Sequence, residues 1–247
     1  MRWLFSNAQS RLSFAARNPL YVVRSLLREF FMADERFLAT ITGVPPRQIR
    51  SFLDEPLSTP FFAACLQDAQ FTMRELQVQS ADLYAKKVLV QYITVRAFRP
   101  DVVVETGVAN GVSSAYLLLA LDRNGRGRLH SIELGDSAYL PAGKPPGWIV
   151  PEPLRSRWNL LIGDSRQMLP KLLSELGIID VFIHDSLHTY EQMLWEYRTA
   201  YPFLRSGGLL VSDDAAWNLA FEEFSREVGA KISSVVHGVG FLQKTRP

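Results

Sequence analysis

DVVVETGVANG, residues 101–111, sets an unbroken apolar run before an acid and then places two glycines four positions apart. A short run of β-branched residues with no polar alternation fits a strand covered on both faces, as in a parallel sheet. Glycine at 107 and 111 lets the backbone turn tightly and approach a ligand closely. The spacing is not G-x-G-x-x-G, so the stretch does not carry the pyrophosphate cradle of dinucleotide sites. Glu105 leads the loop instead, and a carboxylate there suits a ligand bearing an ammonium group. The plainer alternative is an ordinary turn from a strand into a helix that opens near Val112.

Working outward, the same grammar recurs downstream. RLHSIEL, WNLLIGDS, IIDVFIHD and GGLLVSDD are short β-rich runs, and the last three each lead into a helical stretch. Such alternation argues for right-handed βαβ crossovers and an α/β fold, a doubly wound, mostly parallel seven-stranded sheet. The tail KISSVVHGVGFLQK reads as two strands around His237-Gly238. Between the second and third strands lies DSAYLPAGKPPGWIVPEPLR, residues 136–155, long and rich in Pro and Gly, a candidate lid or substrate loop. Upstream the chain reads helical. Leu20, Val23, Leu26 and Leu27 recur at helical spacing, as do Tyr84, Val88, Tyr92, Val95 and Phe98. Pro45-Pro46 opens a short helix over Arg47 to Leu53, and Thr59-Pro60 is a second helix start. The expected division is a helical appendage over residues 1–79, serving as lid or oligomerisation element, and a ligand-binding domain over 80–247.

Composition sets bounds on partners. With 247 residues, 47% hydrophobic and 21% charged, the chain suits a globular protein rather than a disordered one. A net charge of +2 gives no footprint for nucleic acid. No apolar stretch reaches the roughly 18 residues that a spanning helix needs, so no membrane partner is expected. The N-terminus is basic and amphipathic, but Arg11 and Arg17 interrupt any signal-peptide core, and the expected form is a helix packed on the body. The single cysteine, Cys65, sits among Phe61, Phe62, Ala63 and Ala64. It reads as a buried small side chain of a cytoplasmic protein.

In an open α/β sheet the ligand lies beyond the carboxyl ends of the strands, where strand order reverses. Glu133 ends the second strand, positioned to accept from a ribose diol. Asp164 and Ser165 follow the third strand and suit either an adenine edge or the cap of the next helix. His184, alternating with Phe182, reads as a satisfied core histidine. Asp185, Asp213 and Asp214 end neighbouring strands. Three carboxylates together call for a hard cation such as Mg²⁺, unless the last two are only loop and capping residues. His188, three residues past Asp185, has the intrinsic pKa of a general base, and the alternative is a packed surface ring.

VVVETGVANGVSS, LHSIEL, LLIGDSRQMLPKL, IDVFIHDSLHTY and FLRSGGLLVSDD together resemble, in order and spacing, the class I S-adenosylmethionine-dependent methyltransferases, over roughly residues 80 to 243. Within that class the chain is similar to metal-dependent small-molecule O-methyltransferases, of the catechol and macrolide-sugar kinds. The resemblance implies S-adenosylmethionine as cofactor, with Glu105, Thr106, Gly107, Asn110, Gly111 and Ser113 at its methionine end. It places Glu133 on the ribose, Asp164 and Ser165 near adenine, and Asp185 against the cofactor as well. It implies Mg²⁺ on Asp185, Asp213 and Asp214, His188 and Asp185 as the catalytic pair, and a small-molecule acceptor; the apolar N-terminal helices, for their part, suit a homodimer. One departure stands out: the sugar enzymes usually carry Glu where this chain has Asp213. Metal-independent methylation of O, N or C, a non-catalytic relative and a nucleotide-dependent oxidoreductase remain open readings.

Overall fold

The computed structural model describes residues 34–57, 81–135 and 140–245. The Leu20–Leu27 run, Thr59-Pro60, Cys65 and Tyr139 lie outside them. Three helices come first: α1 Asp34–Thr42, α2 Pro46–Leu57 and α3 Ala81–Phe98. The sheet region follows as β1 Val102–Thr106, α4 Val112–Asn124, β2 Arg128–Glu133, β3 Trp158–Ile162, α5 Ser165–Leu176, β4 Ile179–His184, α6 Tyr190–Ala200, β5 Leu204–Ser212, α7 Ala220–Glu227, β6 Ser233–Val236 and β7 Val239–Gln243. A 3₁₀ turn, Glu152–Arg157, leads into β3.

The seven strands run in the order β3-β2-β1-β4-β5-β7-β6. The first five are parallel, and β7 runs antiparallel to both β5 and β6. The doubly wound sheet and the terminal hairpin read from the sequence are therefore the observed ones. Val103 stands opposite Leu129 on one side and Val181 on the other. Because successive strand residues face opposite ways, each central strand feeds two cores. Val103, Val181, Leu209 and Phe241 pack with α1 to α4. Val104, Phe182, Leu210 and Leu242 pack with α5 to α7. Continuous apolar runs are what this double covering demands.

Helix α3 is buried on nearly every side. Val88, Leu89, Val90, Tyr92, Ile93 and Val95 are all in the core, and so are the polar Lys87, Gln91 and Thr94. The periodic set Tyr84–Phe98 captured only one of its faces. Helix α2 outruns the expected Leu53 because its last turn carries Glu55, which accepts hydrogen bonds from Tyr92 Oη and from Arg96 Nε at 2.9 Å. Arg96 also donates to Asn124 Oδ1 at 2.6 Å, so one guanidinium ties α2, α3 and α4 together. Among the described residues no helix is long and apolar enough to cross a membrane.

Leu38 of α1 is completely buried in the same core as the central strands. Leu38→Ala should cost about 2–5 kcal/mol, and urea unfolding followed by circular dichroism and by tryptophan fluorescence should keep one coincident transition. Two separated transitions would mean that α1 folds independently of the sheet.

Candidate active site

Strand order reverses between β1 and β4, neighbours whose following segments depart in opposite directions. The two chains cross closely there. Asp185 N–H donates to Thr106 C=O at 2.8 Å, and Gly107 N–H donates to Ile132 C=O at 2.9 Å. A Cβ on Gly107 would stand 1.9 Å from the Asp185 carbonyl oxygen, and its φ is +86°. No other residue type fits. Ala109 and Gly111 also adopt left-handed backbone, with φ of +46° and +90°. The turn so formed aims Val108 N–H and Ala109 N–H at Glu133 Oε2, at 2.7 and 2.9 Å.

The Pro/Gly-rich segment read as a lid or substrate loop is pinned, over its second half, to this loop like a strap. Gly147 N–H donates to Ala109 C=O at 2.8 Å and Ile149 N–H to Asn110 C=O at 3.2 Å. Trp148 Nε1–H donates to Asn110 Oδ1 at 2.8 Å. Arg155 holds the strap from behind, donating to the carbonyls of Gly147 and Val150 while lying over the Trp158 ring. A Cβ on Gly147 would sit 2.1 Å from that ring, so the close approach needs glycine here too.

The expected cofactor residues divide into several roles. Glu105 is fully buried and accepts from Ser113 Oγ at 3.1 Å and from Ser114 and Ser131 Oγ at 2.7 Å each. Burial pushes its pKa up to about 7 against the pull of those hydroxyls. With no accessible surface, the carboxylate braces the first turn of α4 rather than offering an oxygen to solvent. Asp164 caps α5, accepting Arg166 N–H at 2.9 Å, whereas Ser165 Oγ accepts from Gln192. Beside Glu133, the exposed side chains of Leu134 and Ile162 end β2 and β3 and form an apolar ledge.

At the other end of the switch point, Asp185, His188 and Asp213 bring potential ligand atoms within 4.8 Å of one another. His188 Nε2 lies 3.8 Å from Asp185 Oδ1, and its Nδ1 lies 3.8 Å from Asp214 Oδ2. Neither His188 Nε2 nor Asp213 Oδ1 has a hydrogen-bond partner among the described residues. Burial, with the neighbouring His184 ring, pushes the His188 pKa down to about 4. Burial and the charges of Asp213 and Glu105 drive the Asp185 carboxyl well above the usual carboxylate range.

Two residues that the sequence reading passed over complete the site. Lys87 of α3 reaches across the core and bridges the acidic pair, donating to Asp213 Oδ2 at 3.0 Å and to Asp214 Oδ1 more closely still. Burial alone would pull its pKa down, but the two carboxylates outweigh that and hold it raised. Glu196 of α6 is fully buried beneath the strand ends. It accepts from Thr106 Oγ1 at 2.5 Å, from Ser186 Oγ and Gln192 Nε2 at 2.8 Å each, and bonds His184 Nδ1 at 2.6 Å. Despite its burial, these partners draw its pKa down to about 2. His184 is a core histidine as expected, but only half satisfied, since its Nε2 has no hydrogen-bond partner among the described residues; its ring meets that of His188 edge-on at 5.4 Å. A lysine pair inside an apolar helix and an acid four residues after Gln192 were the available signals.

A parallel sheet of this order, with a glycine turn after β1 and acids after β2, β4 and β5, agrees with the class I methyltransferase resemblance read from the sequence. Residues 104–215, a little under half of the chain, match the family model described as a methyltransferase domain. No curated protein matches. Several solved structures share the fold. The O-methyltransferase TomG of Streptomyces achromogenes, involved in tomaymycin synthesis and solved with S-adenosylmethionine, is 18% identical over 74% of this chain and 90% of its own, TM-score 0.54. CalS11, a TDP-rhamnose 3'-O-methyltransferase of calicheamicin biosynthesis, is 17% identical over 75% of this chain and 95% of its own, TM-score 0.51. MycE, from mycinamycin biosynthesis and solved with Mg, S-adenosylhomocysteine and mycinamycin VI, is 17% identical over 72% of this chain, TM-score 0.50. This chain spans only 54% of MycE.

Glu105 has a raised pKa in the folded state, so it stabilises the fold least when ionised. Its contribution is fully present below the unfolded value near 4.5 and is lost as pH rises through about 7. Glu105→Gln should therefore be less sensitive to alkali. Over that window wild type should lose up to about 3 kcal/mol relative to the variant in urea denaturation. A pH-independent difference would show that Glu105 titrates normally. Gly107→Ala should abolish S-adenosylhomocysteine binding or folding, read by calorimetry and thermal melting, since the added methyl group meets backbone rather than a movable side chain.

Proposed function

We propose that the chain transfers a methyl group from S-adenosylmethionine to a hydroxyl oxygen of a small molecule, with His188 as the general base. The observation that carries this reading is the buried, unpartnered His188 Nε2 beside the loop that follows β1. The proposed cofactor, when bound, supplies an electrophilic methyl group. The residues present suit it. The left-handed Gly107–Gly111 turn sits at the switch point, Glu133 faces that turn, and Leu134 with Ile162 offers an apolar ledge for an aromatic base. Asp164, as a cap, and Ser165, through Gln192, hold the start of α5 at the same edge.

Magnesium comes with the resemblance, and the named MycE structure contains it. Here two of the three expected ligands already share the Lys87 ammonium. The convergent set is instead two carboxylates and an imidazole, not the three carboxylates that the resemblance implies, and one of the two carboxylates, Asp213, already holds the Lys87 ammonium. The residues do not fit magnesium as a resident ion, and the mechanism proposed for this chain does not pass through it.

His188 is neutral at physiological pH because its pKa is low, so Nε2 takes the acceptor's hydroxyl proton once the entering acceptor uncovers this buried atom. The imidazolium that results lies between Asp185 and Asp214. The acceptor oxygen gains the methyl group as the carbon–sulfur bond breaks, and the proton stays on His188 until solvent removes it. Asn218 Nδ2 donates to the His188 carbonyl at 3.2 Å, which fixes the base to the loop after β5. On that loop Trp217 and Leu219 are exposed, as is Leu187 beside His188. Apolar side chains around the base suit an acceptor with an apolar body.

A radiometric methyl-transfer assay over a panel of phenolic and sugar hydroxyl acceptors tests the proposal. His188→Ala should lower turnover by about 10²–10⁴, while S-adenosylhomocysteine affinity by calorimetry changes less than about threefold. An unchanged turnover number would remove His188 as the base.

A further inference from the structure

The acidic pair after β5 and the middle of α3 are 126 and 127 residues apart in sequence, yet one ammonium joins them. The Lys87 side chain is 5% exposed and those of Asp213 and Asp214 are 11% and 19% exposed. A buried lysine is retained only where its charge is paired, and Lys87 lies on a helix whose neighbouring Val88, Leu89 and Val90 are all in the core. Its stem passes the backbone of the β6–β7 turn, where a Cβ on Gly238 would meet Lys87 Cε at 3.3 Å. The lysine stem is therefore packed against that turn while its ammonium is held by the two carboxylates.

We propose that Lys87 is the resident cation of this site, an intramolecular counter-ion that does for Asp213 and Asp214 what a divalent metal would otherwise do. Asp213 Oδ2 and Asp214 Oδ1 are committed to it, and beside them Asp213 Oδ1 and His188 Nε2 are buried without a hydrogen-bond partner among the described residues. A divalent ion on the pair would have to share both carboxylates with a fixed ammonium or displace it from a packed channel. The consequence for substrate class is direct. A metal held by three carboxylates favours acceptors with two adjacent oxygens, whereas one carboxylate oxygen and one imidazole nitrogen ask only for a single hydroxyl.

The acceptor role rests on the function proposed above, but the cation assignment rests on geometry alone, and two separate titrations read them. S-adenosylhomocysteine binding reports whether the chain is a cofactor-loaded methyltransferase. MnCl₂ titrated calorimetrically into the full chain reports on the cation. Wild type should show no saturable Mn²⁺ binding below about 1 mM. Lys87→Met should bind one Mn²⁺ at least about tenfold more tightly, and adding Asp213→Asn should abolish that gain. Stoichiometric micromolar Mn²⁺ binding by wild type would overturn the proposal even if the variant failed to fold. A folded Lys87→Met that gains no Mn²⁺ affinity would overturn it as well.

Discussion

Two parallel strands lie side by side at the centre of the sheet and then part, one chain turning towards β2 and the other towards β5. Everything functional in this molecule hangs on how closely they cross as they do so. The Asp185 carbonyl occupies the space where any side chain at 107 would begin, and the Asp185 amide closes on the Thr106 carbonyl. That crossing fixes the start of the loop after β1 relative to the start of the segment after β4 without a mobile side chain between them. The strap through Gly147 then clamps the far side of the same loop.

Charge is handled beneath and beside this crossing in two ways. Glu196 is a buried anion whose oxygens are filled by hydroxyl, amide and imidazole partners from β1, β4 and α6. Removing any one partner would expose the low-dielectric cost of the remaining charge. Asp213 and Asp214 are compensated by a cation from the opposite end of the fold instead. The first arrangement is local to the sheet edge; the second makes an N-terminal helix part of the site.

What the sequence made legible follows the same division. Strand identity, sheet order class and the terminal hairpin were readable because parallel strands buried on both faces leave unbroken apolar runs. The acids at the strand ends were readable because topology alone decides where strand ends gather. Direction of side chains was not. Glu105 leads the glycine loop in sequence, but its carboxylate turns under the loop to three serines that follow it or flank it on β2. Asp164 and Ser165 were ambiguous because a cap and a ligand contact use the same oxygen. Lys87 was invisible as a site residue because its partners are non-local, and a lysine in a helix ordinarily faces water. The lid reading of residues 136–155 rested on composition, which marks irregular backbone but cannot tell a free loop from one pinned by its own amides.

Glu133 has one feature whose consequence is geometric. Its Oε2 already satisfies the two loop amides at Val108 and Ala109, with Gly135 N–H near Oε1 at 3.4 Å. A hydroxylated ligand that engages this carboxylate can therefore use Oε1 while Oε2 keeps the loop amides. The same side chain would then shape the turn and meet the ligand at once, so the loop's conformation and the ligand's fit are set by one carboxylate plane.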